Sequence, residues 1–275
     1  MSQQIVRSAG WNRTVHIAVV GGEGGAGRTT TTLGLAMAMG QTRHGSVIAI
    51  DGTIGGQRLA QIAEGNSRGL EALCGSGGPS TTAEMMDLVS RQSSACEVLG
   101  WNDLPQQPFS PADVALTKNA VDRFYSVALW DTGADMWSPT WRAVMAGMDA
   151  IAVVHTASVR GATEAQKTVS HLSAHAPELL ERCTFVGIGG AFPLEPTCPT
   201  HTIDTDAALI NAPLIWDDLP RSTQCSLIHL AREIVISLNK EQECAPFCTT
   251  YPLPLDKTLF KESALTLTSR QNLTL

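Results

Sequence analysis

The sequence is short of charge. Charged residues make up 16% of its 275 positions, below the usual quarter, so the chain does not read as a disordered polyelectrolyte. Basic side chains are the scarcer kind, with 19 Lys and Arg against 26 Asp and Glu and a formal charge of −7. That deficit argues against a surface that grips nucleic acid over its whole extent, while leaving room for a local basic patch. Long apolar runs are missing too. Nothing approaches the roughly 18 consecutive apolar residues of a membrane-spanning helix. The first residues, MSQQIVRSAGWNRT, carry no apolar core of a secretory signal, so the expected compartment is the cytoplasm. There the seven cysteines, at 74, 96, 183, 198, 225, 244 and 248, read as reduced thiols, and their odd number excludes a complete disulfide framework. Only Cys244 and Cys248 are close, as C-x3-C, with no histidine at zinc-finger spacing. His171 and His175 stand four apart without a third ligand and read as a solvated helix face. Ser138 and Ser158 lack the G-x-S-x-G context of a hydrolase nucleophile.

What is present is alternation. Apolar runs at 15–20, 47–51, 97–101, 127–131, 150–155, 185–189 and 213–216 read as strands. Helical patterns at 29–39, 84–90, 111–124, 163–175 and 223–239 fall between them, and residues 74–83 read as a Gly/Ser/Thr-rich loop. The pattern predicts an α/β fold, a mostly parallel twisted sheet of about six strands with helices on both faces. It divides the chain into an N-terminal arm (1–12), one α/β domain (13–240) and a tail (241–275). In the tail, Leu259, Phe260, Ala264 and Leu267 form a weak apolar stripe. Lys257 and Lys261 are balanced there by Asp256 and Glu262, which favours a disordered tail or a partner-docking segment over a membrane-surface helix. Three of the six tryptophans, Trp130, Trp137 and Trp141, cluster in sequence and read as core or as an apolar partner-binding patch.

The most informative segment runs Gly21-Gly22-Glu23-Gly24-Gly25-Ala26-Gly27-Arg28-Thr29-Thr30, between the first strand and the first long helix. Glycines there let backbone N–H groups curl round an anion, and the helix N-terminus adds partial positive charge. The spacing Gly22-x4-Gly27-Arg28-Thr29 is that of a phosphate-binding P-loop with Arg in place of Lys. Residues 22–30 are thus the expected nucleotide-binding residues, with ATP the expected ligand. Thr29 is placed to ligate Mg²⁺. Asp131 ends a strongly apolar strand at the carboxyl edge where α/β folds bind ligands. It is the expected acid holding that Mg²⁺ through water. Asp51, ending the second strand, is a second such acid, or a cap on the next turn.

EGGAGRTTTTLGLA resembles the deviant phosphate loop of the ParA/MinD ATPases, usually KGGxGKTT. VIAID with Gly52-Thr53-Ile54-Gly55-Gly56 resembles that family's second strand and D-x-D segment. VALWDTGAD resembles its Walker B strand, and HTIDTDAALINAPLIWDDLP its late segment. RHGSVIAIDGTIGGQRLAQ looks closest to divergent members from actinobacterial plasmids, conjugative elements and type VII secretion loci. The resemblance implies a P-loop NTPase fold over 13–240 and binding of ATP with Mg²⁺. It also implies a homodimer that sandwiches nucleotide, a protein partner that triggers hydrolysis, and DNA or the inner face of the membrane as the surface acted on. Three residues depart from the family pattern. Glu23 stands where the family has its signature lysine, Arg28 where it has the P-loop lysine, and Thr53 where it has the water-positioning Asp. Asp51 is then the one remaining candidate for a catalytic role. The expectation is a nucleotide-binding protein with a degenerate ATPase site, working in plasmid or chromosome partitioning or in positioning a cell-envelope machine. The rival expectation is a non-catalytic scaffold for a secretion, conjugation or partition partner.

Overall fold

The computed structural model describes residues 1–53, 56–103, 108–193 and 196–244. Eight strands form one sheet: β1 (Val15–Val20), β2 (Val47–Asp51), β3 (Ser90–Arg91), β4 (Glu97–Leu99), β5 (Val127–Asp131), β6 (Ala150–Thr156), β7 (Cys183–Ile188) and β8 (Thr200–Ile203). Their order is β3-β4-β2-β5-β1-β6-β7-β8. Every described pairing is parallel except the two-residue β3 against β4. The helices are α1 (Ser2–Ser8), α2 (Arg28–Arg43), α3 (Arg58–Ile62), α4 (Gly69–Ser76), α5 (Thr82–Leu88), α6 (Pro111–Val121), α7 (Pro139–Met145), α8 (Val159–His175) and α9 (Arg221–Cys244). Among the described residues no helix is long and apolar enough to cross a membrane.

The sheet is covered on both faces, which is why its central strands are apolar at nearly every position. On one face Ile17, Val19, Ala49, Leu129 and Val154 pack under α1, α2, α3 and α9. On the other Ala18, Val20, Ile50, Trp130, Val153 and Phe185 pack under α4 to α8. Successive residues point to opposite faces, so one continuous run serves two cores. The parallel α/β architecture expected from the alternation is the one found.

Several elements differ from the pattern reading. The run at 213–216 forms no strand. Its Leu214 is buried and donates its backbone N–H to the Ile62 carbonyl (2.8 Å), and a 3₁₀ turn follows at Trp216–Asp218. Pro213, lacking an N–H, could not have joined a ladder there. The eighth strand is instead Thr200–Ile203, a polar edge strand half-exposed along most of its length. Part of the expected loop at 74–83 is helical, because α4 continues to Ser76 before Gly77 (φ +78°) ends it. Within the expected arm, α1 buries Val6. Arg43, at the far end of α2, donates from Nη1 to the carbonyls of Val6 (3.0 Å) and Ala9 (2.7 Å) and stacks on Trp11.

His171 is not on a solvated face. It is 8% exposed, wedged edge-on to Trp137 and Trp141 with His175 stacked beside it. The tryptophans divide: Trp130 and Trp141 are core, while Trp137 is 71% exposed. Cys248 and the 255–267 stripe lie outside the described residues, as do Ile54 and Gly55.

Candidate functional site

The site forms at the carboxyl ends of the central strands. β1 leads directly into the loop Gly21–Gly27, and α2 begins at Arg28. Gly25 (φ +80°) and Gly27 (φ +91°) adopt left-handed backbone that side-chain-bearing residues rarely take. Gly21 is required for a different reason, since a Cβ there would stand 2.5 Å from the Val154 carbonyl oxygen. The outer lip is open: a Cβ on Gly24 or Gly25 would meet nothing within 4 Å. A curled backbone with open space above it, at the N-terminus of a 16-residue helix, suits a phosphate chain.

The side chains of the loop are engaged within the chain. Arg28 folds back and donates from Nη1 to the carbonyls of Gly21 (2.5 Å) and Glu23 (2.8 Å), spanning the loop. Its Nε is buried without a partner. Burial lowers the guanidinium pKa, and Asp131 opposes that shift. Glu23 accepts at Oε2 from the Thr156 hydroxyl at the end of β6 (2.8 Å), and Thr156 also contacts Ser158 Oγ (2.9 Å).

Below the loop lies a pair of buried acids. Asp51 and Asp131 are register partners on adjacent strands. Thr29 donates its hydroxyl to Asp131 Oδ2 (2.5 Å). Burial pushes the Asp131 carboxyl up, partly countered by the Thr29 hydrogen bond and the Arg28 charge. Burial and then the neighbouring Asp131 carboxylate push Asp51 up to about 7, although the Thr53 hydroxyl (2.5 Å) and backbone N–H (3.1 Å) both donate to it. Two buried carboxylates, with one guanidinium nearby and a threonine hydroxyl between strand and loop, form a donor set of oxygens suited to Mg²⁺. The residues present therefore fit the metal and phosphate that the loop implies. Thr53, in the position expected for a water-positioning acid, is spent as a hydrogen-bond donor to Asp51.

Beside the loop opens a cavity of about 350 Å³. Gly25, Gly27 and Thr30 form its floor, and Ile188, Ile203, Leu209 and Leu227 its apolar walls. Apolar walls next to an anion cradle are the requirement for a flat heterocycle joined to phosphates. The floor belongs to the glycine-rich motif at residues 22–30, whereas the walls come from β7, β8, the 3₁₀ turn at Ala207–Ile210 and α9. The one signal for them was the resemblance of the segment 201–220. Arg43 and His44 lie at the opposite end of α2 from the loop. Among the described residues no group of three or more His, Cys, Asp or Glu could by itself hold a metal ion.

No protein-family model matches the chain. It is 28% identical over 198 residues to the ESX-1 secretion-associated protein EspI of Mycobacterium tuberculosis, in two strains. The match covers 66% of this chain and 28% of the relative, so the chain spans little more than a quarter of that protein's length. Among solved structures it resembles a ParA family ATPase from Chlorobium tepidum (TM-score 0.66, 17% identity), over 80% of this chain and 98% of the other. It also resembles a chain of a MinC:MinD cell division protein complex from Aquifex aeolicus (TM-score 0.60, 16% identity, 80% and 95%). A third match is the septum site-determining protein MinD complexed with Mg-ADP from Pyrococcus horikoshii (TM-score 0.57, 18% identity, 84% and 98%). Those likenesses and the strand–loop–helix at Gly21–Thr30 lead to one conclusion: the chain has the fold of the ParA and MinD P-loop ATPases.

Proposed function

We propose that this chain is a ParA/MinD-like module that binds Mg·ATP and hydrolyses it weakly or not at all, using the bound nucleotide to control docking to a protein of a cell-envelope secretion machine. The observation that carries the binding half is the juxtaposition of an open glycine cradle, the Thr29–Asp131 pair and an apolar cavity large enough for a nucleoside. The triphosphate would lie on the N–H groups of residues 24–30, the base between Ile188, Ile203 and Leu209, and Mg²⁺ against Thr29, with Asp131 and Asp51 behind it through water. Bound there, Mg²⁺ would neutralise phosphate charge.

The attenuated half rests on the departures. Phosphoryl transfer depends almost wholly on positioned charge. Glu23 brings a carboxylate to the lip of the cradle, where it opposes a triphosphate by about 1–4 kcal/mol at 4 Å, depending on dielectric. Thr53 holds Asp51 and offers no base to an attacking water. A nucleotide held without prompt hydrolysis acts as a long-lived switch or as a permanent part of a scaffold. The secretion context rests on the EspI likeness. In this reading a homodimer across the loop face and a partner protein complete the switch, and partition of DNA is the alternative setting.

Calorimetric titration of the purified protein with Mg·ATP tests the binding half, with Thr29→Ala as the paired variant. Micromolar affinity that weakens at least tenfold in the variant supports it. No heat of binding up to millimolar nucleotide overturns it and leaves the scaffold reading. Turnover at the rate of an intact ParA relative assayed alongside overturns the attenuated half.

A further inference from the structure

The outer edge of the sheet carries two cysteines in an unusual relation. Phe185 of β7 is opposite Thr200 of β8, and its N–H bonds to the Pro199 carbonyl (2.8 Å). Cys183 is the first residue of β7, and Cys198 lies in the bend two residues before β8 begins. The two thiols are hydrogen-bonded to each other, so their sulfurs are in contact, as a disulfide between them requires. Both side chains fall in the same core cluster, beside Phe185, and both are free thiols.

We propose that Cys183 and Cys198 form a reversible dithiol–disulfide site, oxidised by a small-molecule disulfide and reduced by a small-molecule thiol.

The roles of the two sulfurs follow from their surroundings. The Cys183 S–H donates to Cys198, which lowers the Cys198 thiol below its ordinary value and raises Cys183. The Thr197 hydroxyl stands 3.9 Å from Cys198 Sγ and also favours the thiolate. Cys198 is also the more accessible, 9% exposed against 2%. By contrast burial pushes Cys74 and Cys96 up to about 12, which leaves them inert near neutral pH. Cys198 thiolate attacks one sulfur of the external disulfide. A Cys198–S bond forms, the external S–S bond breaks, and the leaving thiolate takes a proton. Cys183 loses its proton to solvent and attacks Cys198 Sγ, expelling the second external thiolate, which is protonated in turn. The sum is two protein thiols and one external disulfide giving one protein disulfide and two external thiols.

The bond would fix the start of the edge strand, whose far end supplies Ile203 to the cavity wall. Closing the segment between the two cysteines predicts a rise in melting temperature of about 6 °C for the oxidised form.

The full chain is incubated with oxidised glutathione, the remaining thiols are alkylated, and peptides are mapped without reduction. The expected result is a 183–198 linked peptide with loss of two hydrogens, reversed by dithiothreitol. Cys183→Ser is expected to stop at a mixed disulfide on Cys198, and Cys198→Ser to give no adduct at Cys183. Alkylation of both positions after oxidation, or a glutathione adduct on Cys198 that persists in the unaltered chain, would overturn the proposal. So would a link that joins either cysteine elsewhere. Cys183→Ala, scored by the same mixed disulfide, serves if the serine variant does not fold.

Discussion

Arg28 spends its guanidinium on its own loop, and replacing it with methionine separates two jobs that one residue could be doing. Arg28→Met keeps a side chain of similar length and removes the charge. In the protein alone, two hydrogen bonds to carbonyls are lost, each worth about 1.5–3 kcal/mol for a charged donor. Against this, the variant no longer buries a guanidinium whose Nε has no partner, a cost of several kcal/mol. These nearly cancel, so the expected change in stability is about 1 kcal/mol or less, a shift of about 2–4 °C in melting temperature for a chain of this size. Nucleotide binding has no such offset. If a phosphate takes the place of the Gly21 and Glu23 carbonyls on Nη1, the variant loses about 1.5–3 kcal/mol of charge-assisted bonding. That is about 10- to 150-fold in Kd. Differential scanning fluorimetry reads the first quantity and calorimetric titration with Mg·ATP the second. Equal affinity in the two proteins would refute the argument and leave Arg28 with no part in holding phosphate.

Three further outcomes follow from the structure. Glu23→Gln removes a carboxylate from the cradle lip while keeping an acceptor for Thr156, and is expected to tighten Mg·ATP by about fivefold, the ~1 kcal/mol of a solvent-facing charge pair; an unchanged Kd would place Glu23 outside the phosphate field. Gly21→Ala puts a Cβ 2.5 Å from the Val154 carbonyl. Since backbone must shift, a loss of about 2–3 kcal/mol, or about 4–12 °C in melting temperature, is expected, and wild-type melting would show that the loop can yield there. His16 gives a pH signature. Trp130 Nε1 donates to its Nδ1 (3.0 Å), so the proton resides on Nε2 facing Asp122 (2.7 Å). Burial lowers its pKa below the ordinary value, although Asp122 opposes the shift. The unfolded chain therefore takes the proton first, and the contribution of His16, fully present above about pH 6.5, is lost as pH falls below it. Urea titrations at pH 7.5 and 5.5 should show a stability difference that His16→Gln reduces, and an equal slope in both proteins would contradict the assignment.

The fold could be read from the sequence where one residue type had one reason to be there. VHIAVV followed by a glycine-rich turn and a hydroxyl allows few structures besides a buried strand, a phosphate cradle and a helix. Asp131 closes its strand because an acid at the end of VALW is tolerated only where the sheet opens. The missed pieces were those decided by tertiary placement. THTI has no apolar period, and only its position beside β7 makes it a strand. PLIW has the period and lacks a neighbour to pair with. That Arg28 turns inward, that Glu23 meets Thr156 and that His171 is walled in by tryptophans are all contacts between residues distant in sequence or facing unexpectedly. The apolar half of the cavity collects residues from β7 to α9, each ordinary in its own segment.

The docking of α1 gives the molecule a usable handle. The 16 residues of α2 run about 24 Å, with the cradle at one end and, at the other, the guanidinium of Arg43 gripping the carbonyls of Val6 in α1 and of Ala9 just after it. A fluorophore or surface tether attached at residue 1 would therefore ride on a fixed lever, far enough from the nucleotide to leave it undisturbed. It would also be close enough to report, by energy transfer to a labelled nucleotide, each arrival and departure in a single molecule.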